Sequence, residues 1–577
     1  MCLLSKMGLN HLYLCPFEVI MSLFTESIKD SCSFTPTPGL VALSQKPSRY
    51  LPPKATLADA TFLQNMRIER IPDRSAFLRS SLQQMGWSSF EIEDYLCQYQ
   101  CHRQRLALRG DLLSSFDDFI AELNAIPDQR NPELVIYPLP IILFVIFWAL
   151  SDGVANDCAS IAGYWKSNNH FFQALIPTFP APHHNISESR VEYCLNMVSF
   201  EYTHALFKKH FSKVTHKGSD QIDYQSGFLH GAKNPYFRDA KPRERIEYLG
   251  ADGQTAEGSM RRGLFTRNCK GTEVATINDC SGKVTLDYVI DEKKNQETAA
   301  FLKMLPELDQ EKYYGAFFHC DALNSRPELS STLLELGFRY LLSIKKNAGN
   351  RQLFLQIEDA FEHASFDDCD ELLKPQKFVV ADHGRYEEYT VSILDVSALS
   401  APSVNKHQGT QCIIRKEKVS YQLRKRAPLN EADAKRRETS IKHGAMRAGR
   451  RVSYYICSMP YCLETFLHVL QALSKYWAAV EGAHSKLDRY AGNQDDIRGC
   501  SDLNYIKNRI GFNKMLLNFW SHVRQTETQK KYSSLSYSPR VFDAIKKPVS
   551  FHVVQQIMRD PFKILDHLGA HLQAEAV

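Results

Sequence analysis

The chain lacks several features that would place it in a class at once. Its most apolar stretch, residues 141–150, falls well short of the roughly 20 residues needed to cross hydrocarbon, and Pro138 and Pro140 break the segment before it. That stretch reads as a buried core helix, and no membrane association is expected. A secretory leader is not expected either: Pro16 and Glu18 interrupt the mildly apolar segment 12–24, and no small-residue cleavage pattern follows. A disulfide framework is missing although cysteine is not scarce. The 15 cysteines are odd in number and scattered, which argues for free thiols in a reducing, cytoplasmic compartment. Cys97, Cys101 and His102 make the one metal-like cluster, but no second pair lies at zinc-finger spacing, so two cysteines one helical turn apart are expected instead. Net charge is also small, +5 over 577 residues, and by itself implies no nucleic acid.

What is present is the composition of a soluble globular protein, 44% apolar and 23% charged, in a chain long enough for two or three domains. Charge is unevenly distributed. Residues 415–451 hold thirteen Lys or Arg against four Asp or Glu, including Arg424-Lys425-Arg426 and Lys435-Arg436-Arg437. Such a run is a solvated loop or helix face, or a phosphate-binding surface.

Along the chain, residues 1–112 carry Pro-rich and Ser-rich stretches and read as a variable, partly disordered extension, with a helix over 88–104. Residues 113–235 read as a helical domain. The pattern then changes to strands over 245–252, 273–279 and 283–290, with Cys280-Ser281-Gly282 as a hairpin turn. Helix over 296–308, strand over 315–320, helix over 327–336 and strand over 340–345 follow. This order predicts an α/β fold, a ribonuclease H-like mixed sheet with flanking helices, over 240–525. A β-containing insertion interrupts it at about 347–450, with strands over 377–381 and 388–394. A strand over 452–458 resumes the core and leads to an amphipathic helix over 463–487. Residues 526–577 form a C-terminal tail.

Three acidic residues fall where this order could bring them together: Asp252 and Asp321 at strand ends, and Glu481 on the amphipathic helix. A carboxylate closing a buried strand is costly to leave without a partner, so two in succession point to a shared divalent cation. Magnesium or manganese prefers such oxygens and serves in-line phosphoryl transfer. The plainer alternatives are a turn at Asp252-Gly253, a helix cap at Asp321 and a solvated Glu481. Lys345, at a strand end, could face phosphate, and His319 would share the face of Asp321 as a packed strand residue.

These residues stand in segments that resemble a known family, the DDE transposases of the H-repeat-associated bacterial insertion-sequence type. Ile126-Pro127-Asp128-Gln129-Arg130 with Tyr137-Pro138-Leu139 is similar to the family's amino-terminal domain. Ala251-Asp252-Gly253-Gln254, Glu292-Lys293-Lys294-Asn295-Gln296-Glu297, Cys320-Asp321-Ala322, Leu342-Ser343-Ile344-Lys345-Lys346-Asn347, His383-Gly384-Arg385-x-Glu387, Tyr454-Tyr455-Ile456-Cys457-Ser458 and Tyr476-Trp477-Ala478-Ala479-Val480-Glu481 follow in family order. The chain departs from the pattern at Gln254, where the family has Lys, and at Gly482, where it has Asn. The resemblance implies that Asp252, Asp321 and Glu481 are a catalytic triad holding Mg2+ or Mn2+. It further implies a bacterial, nucleoid-associated enzyme that cuts terminal inverted repeats and joins them to target DNA as a dimer or higher assembly. Arg424, Lys425, Arg426, Lys435, Arg436, Arg437 and Lys345 are the expected DNA contacts. The alternatives are a catalytically decayed, DNA-binding derivative and a ribonuclease H-like nuclease.

Overall fold

The computed structural model describes residues 73–213, 244–256, 272–422, 447–476, 502–533 and 549–575, apart from 154–156, 177, 245, 281–283, 292–295, 348, 368, 383–384 and 401–405. Nine strands among them pair into one mixed sheet: β1 (Tyr248–Ala256), β2 (Thr272–Asp279), β3 (Val284–Asp291), β4 (Phe317–Cys320), β5 (Arg339–Ile344), β6 (Gln376–Asp382), β7 (Arg385–Asp395), β8 (Cys412–Gln422) and β9 (Arg447–Cys457). Their order is β3-β2-β1-β4-β5-β9-β8-β7-β6. β4 runs parallel to β1 and β5, and every other neighbouring pair is antiparallel.

The centre of the sheet is buried on both faces, which explains the unbroken apolar run Phe317-Phe318 and its neighbours. Leu249, Ala251, Phe318, Cys320 and Leu342 point to one face, beneath the helices Glu297–Met304, Pro327–Glu335 and Arg351–His363. These helices contribute Phe301, Leu329, Leu333, Leu353, Ile357 and Phe361 at the three- and four-residue spacing of a helical stripe. Tyr248, Phe317, Leu341 and Tyr455 point to the other face, under Phe466, Leu470 and Leu473 of helix Leu463–Tyr476.

A layer of helices covers the β2–β3 end. Ser88 and Glu91 close a reciprocal capping box that starts helix Ser89–Ala107, as its Ser-x-x-Glu sequence requires. Cys97 and Cys101 lie exposed on that helix. Helix Leu139–Ser151 is buried from Ile141 to Ser151, and no helix among the described residues is long and apolar enough to cross a membrane. The helix Leu503–Ser533 and helices Phe551–Met558 and Pro561–Glu575 complete this core through Met515, Phe519, Trp520, Val554 and Leu565. Buried amides join the layers. Asn518 Nδ2 donates to the carbonyls of Phe211 (2.6 Å) and Thr285 (2.7 Å), while its Oδ1 accepts from the Thr285 amide (2.9 Å).

Residues 415–451 depart from the expectation of a loop or helix face at both ends, where they form β8 and β9. Pairing within and across strands neutralises part of their charge: Glu417 accepts from Arg450 Nε of β9 (2.6 Å) and from Arg415 Nη2 of its own strand (3.0 Å), and Lys418 Nζ lies 2.8 Å from Glu387 of β7. Arg424, Lys425, Arg426, Lys435, Arg436 and Arg437 lie outside the described residues.

Asp287 on β3 ties the sheet to helix Phe200–His210 through His204 Nε2 (2.8 Å) and Lys208 Nζ (2.9 Å), with its side chain 5% exposed. Burial pushes this carboxyl up, but the hydrogen bonds from His204 and Lys208 outweigh burial and hold it below the usual carboxylate value. Because folding lowers the pKa, the contribution is full above the unfolded value of about 4 and is lost as pH falls through the lower folded value. Asp287→Ala is expected to reduce stability in urea unfolding by roughly 2 kcal/mol at pH 7, with the difference from wild type shrinking below about pH 4. A difference that persisted unchanged into strong acid would show that the charge of Asp287 does not hold the layers together.

Candidate functional site

Two of the three expected carboxylates are brought together. The parallel ladder between β1 and β4 ends at the pair Ala251 and Cys320, so Asp252 and Asp321 occupy the next position along the two neighbouring strands. Asp252 is not at the end of its strand, as the sequence suggested, nor in a turn. β1 continues to Ala256 against β2, with Asp252 opposite Thr276, so what ends at Asp252 is the pairing with β4. Both aspartates are partly exposed, as a carboxylate at the rim of a doubly covered sheet must be.

Asp321 is held by its own loop. Its Oδ1 accepts from the amides of Leu323 (3.0 Å) and Asn324 (3.3 Å) and from Asn324 Nδ2 (3.0 Å). The helix Pro327–Glu335 has no side-chain cap from Asp321; its first turn begins with Pro327 after Arg326. Asp321 Oδ2 faces the Lys345 ammonium at 3.7 Å, at the end of β5. Lys345 is half exposed, so it sits between the carboxylate and solvent.

Helix Leu463–Tyr476 reaches the same rim. The Tyr476 hydroxyl donates to the Ala251 carbonyl (3.3 Å), one residue before Asp252, and its ring meets His319 edge-on at 4.2 Å. Burial, then Asp252, Cys320 and Asp321 push the Tyr476 hydroxyl far up, so it remains protonated. His319 is a packed strand residue: its Nδ1–H donates to the Leu341 carbonyl (2.6 Å), and burial lowers its pKa to about 4. Glu481, five residues past Tyr476, lies outside the described residues.

Three further residues at this site had no role assigned from sequence. Glu297 starts the helix on the opposite face, where an added Cβ at Gly253 would collide with its carboxylate. Glu297 therefore fills the hollow that Gly253 leaves in β1. Burial, opposed by the hydrogen bond from Asn324, and then the charges of Asp321 and Glu273 raise the Glu297 carboxyl. Asn324, 2% exposed, donates to Glu297 Oε2 at 2.6 Å. Lys514, 1% exposed on helix Leu503–Ser533, donates to Thr276 Oγ1 (3.2 Å), directly across from Asp252. The proximity of the acidic groups registers at Cys320, whose thiol is pushed far up by burial, Asp321, Asp252 and Glu297.

The insertion also touches the Asp321 loop. His407 Nε2 donates to Asn350 Oδ1 (3.1 Å), Asn350 Nδ2 donates to the Ser325 carbonyl (2.9 Å), and Ser325 Oγ donates to the Asp321 carbonyl (3.1 Å).

Two aspartates one step past the last pair of neighbouring strands, one with an oxygen turned away from its backbone donors, fit the hard oxygen donors that magnesium or manganese takes. Among the described residues no three His, Cys, Asp or Glu side chains converge closely enough to hold a metal ion. The alternation along β1 explains why Glu297 does not join the aspartates: Gly253, and with it Glu297, lies on the face opposite Asp252.

No protein-family model matches the sequence, and no curated protein matches it. Among solved structures the chain is similar to the piggyBac transposase in its synaptic complex with hairpin DNA, at 10% identity over 77% of each chain and a TM-score of 0.31. A likeness at that score assigns neither fold nor function.

Gly253→Ala should expel the Glu297 carboxylate from its hollow. The expected result is a folded protein less stable by roughly 1–3 kcal/mol, in which Glu297 titrates at the ordinary carboxylate value instead of above it. A 13C-glutamate titration in chelator checks this, and an unmoved Glu297 resonance would refute the packing described.

Proposed function

We propose that this chain is a DNA transposase of the DDE type, with Asp252, Asp321 and Glu481 as its metal-binding carboxylates. The observation that carries the reading is the placement of Asp252 and Asp321 side by side where the β1–β4 ladder stops. The strand order β3-β2-β1-β4-β5, with β2 antiparallel, supports a ribonuclease H-like core. Tyr476 supports the third member, since its hydroxyl is bound next to Asp252 only five residues before Glu481.

In this reading Asp252, Asp321 and Glu481 would hold Mg2+ or Mn2+, which activates an attacking hydroxyl and stabilises the leaving oxygen in phosphoryl transfer. The protein's own part is orientation and charge. The loop donors on Oδ1 fix the Asp321 carboxylate and leave Oδ2 turned toward the open side. Lys345 lies where it can meet a phosphate that enters beside Asp321, and offsets the negative charge of the site until it does. Tyr476 pins β1 from the helix side, so the two aspartates keep their register. The substrate would be the element's terminal inverted repeats and target DNA, engaged by a dimer or higher assembly, with the basic residues between β8 and β9 against the phosphates.

The test is cleavage and joining of labelled DNA carrying the element's own end, with magnesium. Asp321→Ala and Asp252→Ala are each expected to reduce both products to background while DNA binding persists. Hydrolysis without joined product would instead support a nuclease, and full activity in either variant would end the proposal.

DNA affinity should fall steeply with salt, and neutralising Arg424, Lys425 and Arg426 together should reduce the log–log salt slope by roughly one for each phosphate that is no longer neutralised. A slope unchanged in the triple variant would remove this segment from the DNA interface.

A further inference from the structure

We propose that Asn324 is a positioning residue that sets the Asp321 carboxylate for metal binding, with Glu297 and Thr298 as its own supports. This inference rests on the reading of Asp321 as a metal ligand.

The argument begins with the inventory of one amide. Asn324 has two N–H donors and one acceptor oxygen, and it is 2% exposed, so each must find a partner within the protein. One N–H donates to Glu297 Oε2 (2.6 Å) and the other to Asp321 Oδ1 (3.0 Å). The Asn324 oxygen accepts from Thr298 Oγ1 at 3.2 Å. Reversing the amide would set its oxygen against two carboxylates and strip the Thr298 hydroxyl of its acceptor. The chemistry of the three partners therefore fixes which way the amide points.

That direction matters for Asp321. Its backbone places Oδ1 near the amides of Leu323 and Asn324, but two backbone donors on one oxygen leave the carboxylate able to rotate about its side-chain bond. The third donor, coming from a side chain clamped at its far end, adds the constraint that keeps Oδ2 toward Lys345 and the open rim. Glu297 is suited to the clamp because its carboxyl is packed against Gly253 on the other face of β1 and is thereby fixed in place at the far side of the amide. Outer partners that orient a ligating carboxylate in this way commonly alter metal affinity by about 10- to 100-fold when removed.

The experiment measures Mn2+ binding by electron paramagnetic resonance on the full chain without DNA, alongside circular dichroism and thermal melting. Asn324→Ala is expected to weaken Mn2+ binding by roughly 10-fold or more with its circular dichroism spectrum unchanged. Thr298→Val, which removes one hydroxyl at nearly constant volume, should weaken it by a smaller factor, and Asp321→Ala should abolish it. Saturating Mn2+ should restore DNA cleavage to Asn324→Ala but not to Asp321→Ala. Unaltered affinity in folded Asn324→Ala, while Asp321→Ala loses the ion, would overturn the positioning role and leave the metal reading standing. If Asn324→Ala fails to fold, unaltered affinity in Thr298→Val overturns it in the same way. Wild-type protein that binds no Mn2+, or binding indifferent to Asp321→Ala, would overturn the metal reading and this inference with it.

Discussion

A carboxylate stays inside a sheet covered on both faces only where cations or hydrogen bonds replace its water, as His204 and Lys208 do for Asp287 on β3; without them it must sit at a rim. In this chain that limit decides where acidic chemistry can sit. Leu249, Ala251, Phe318 and Cys320 are buried beneath helices, and the first positions beyond their pairing are Asp252 and Asp321. The ladder stops and the charges begin at the same step. Everything gathered around them belongs to that rim: Lys345 at the end of β5, Tyr476 at the end of its helix, and the loop amides of Leu323 and Asn324.

The remaining polar chemistry of the interior follows the same limit by another route. Buried amides are placed against backbone groups that no strand or helix satisfies, as with Asn518 between Phe211 and Thr285, and Asn508 beneath the carbonyls of Leu195 and Val198. Asn324 differs in that its two N–H groups meet carboxylates. A short neutral side chain can enter a dry space at modest cost provided both ends are met, and each of these three asparagines connects elements distant in sequence.

Much of the α/β pattern was legible because it is local. Alternating or unbroken apolar runs marked β2, β3, β4 and β5, and the stripe through Phe466, Leu470 and Leu473 marked the helix above them. That Asp252 and Asp321 could stand on neighbouring strands was open to sequence reasoning only as a supposition, because β2, β3 and the helix Glu297–Met304 separate β1 from β4. What stayed hidden depends on contacts across the fold. β8 was missed because its Arg415, Lys416 and Lys418 read as a solvated charge run, whereas the neighbouring strands supply Glu387 of β7 to Lys418 and Arg450 of β9 to Glu417. For Gly253 the sequence offered only a turn as the plainer alternative, whereas its missing side chain accommodates Glu297 from another element. Asn324 and Lys514 gave no signal, as a single amide in a loop and a single cation in a helix are ordinary in sequence.

β9 belongs to two structures at once. Over Tyr454–Cys457 it is the neighbour of β5, and along almost its whole length it is the neighbour of β8. The segment that interrupts the core in sequence is thus continuous with it in hydrogen bonding. A shortened relative that lost β6, β7 and β8 would leave one side of β9 as a bare edge of unpaired amides and carbonyls, ready to recruit a strand from another molecule. Removing the segment would move the edge of the sheet from β6 to β9, against the core itself, so its loss during evolution would require β9 to shorten or be covered in the same step.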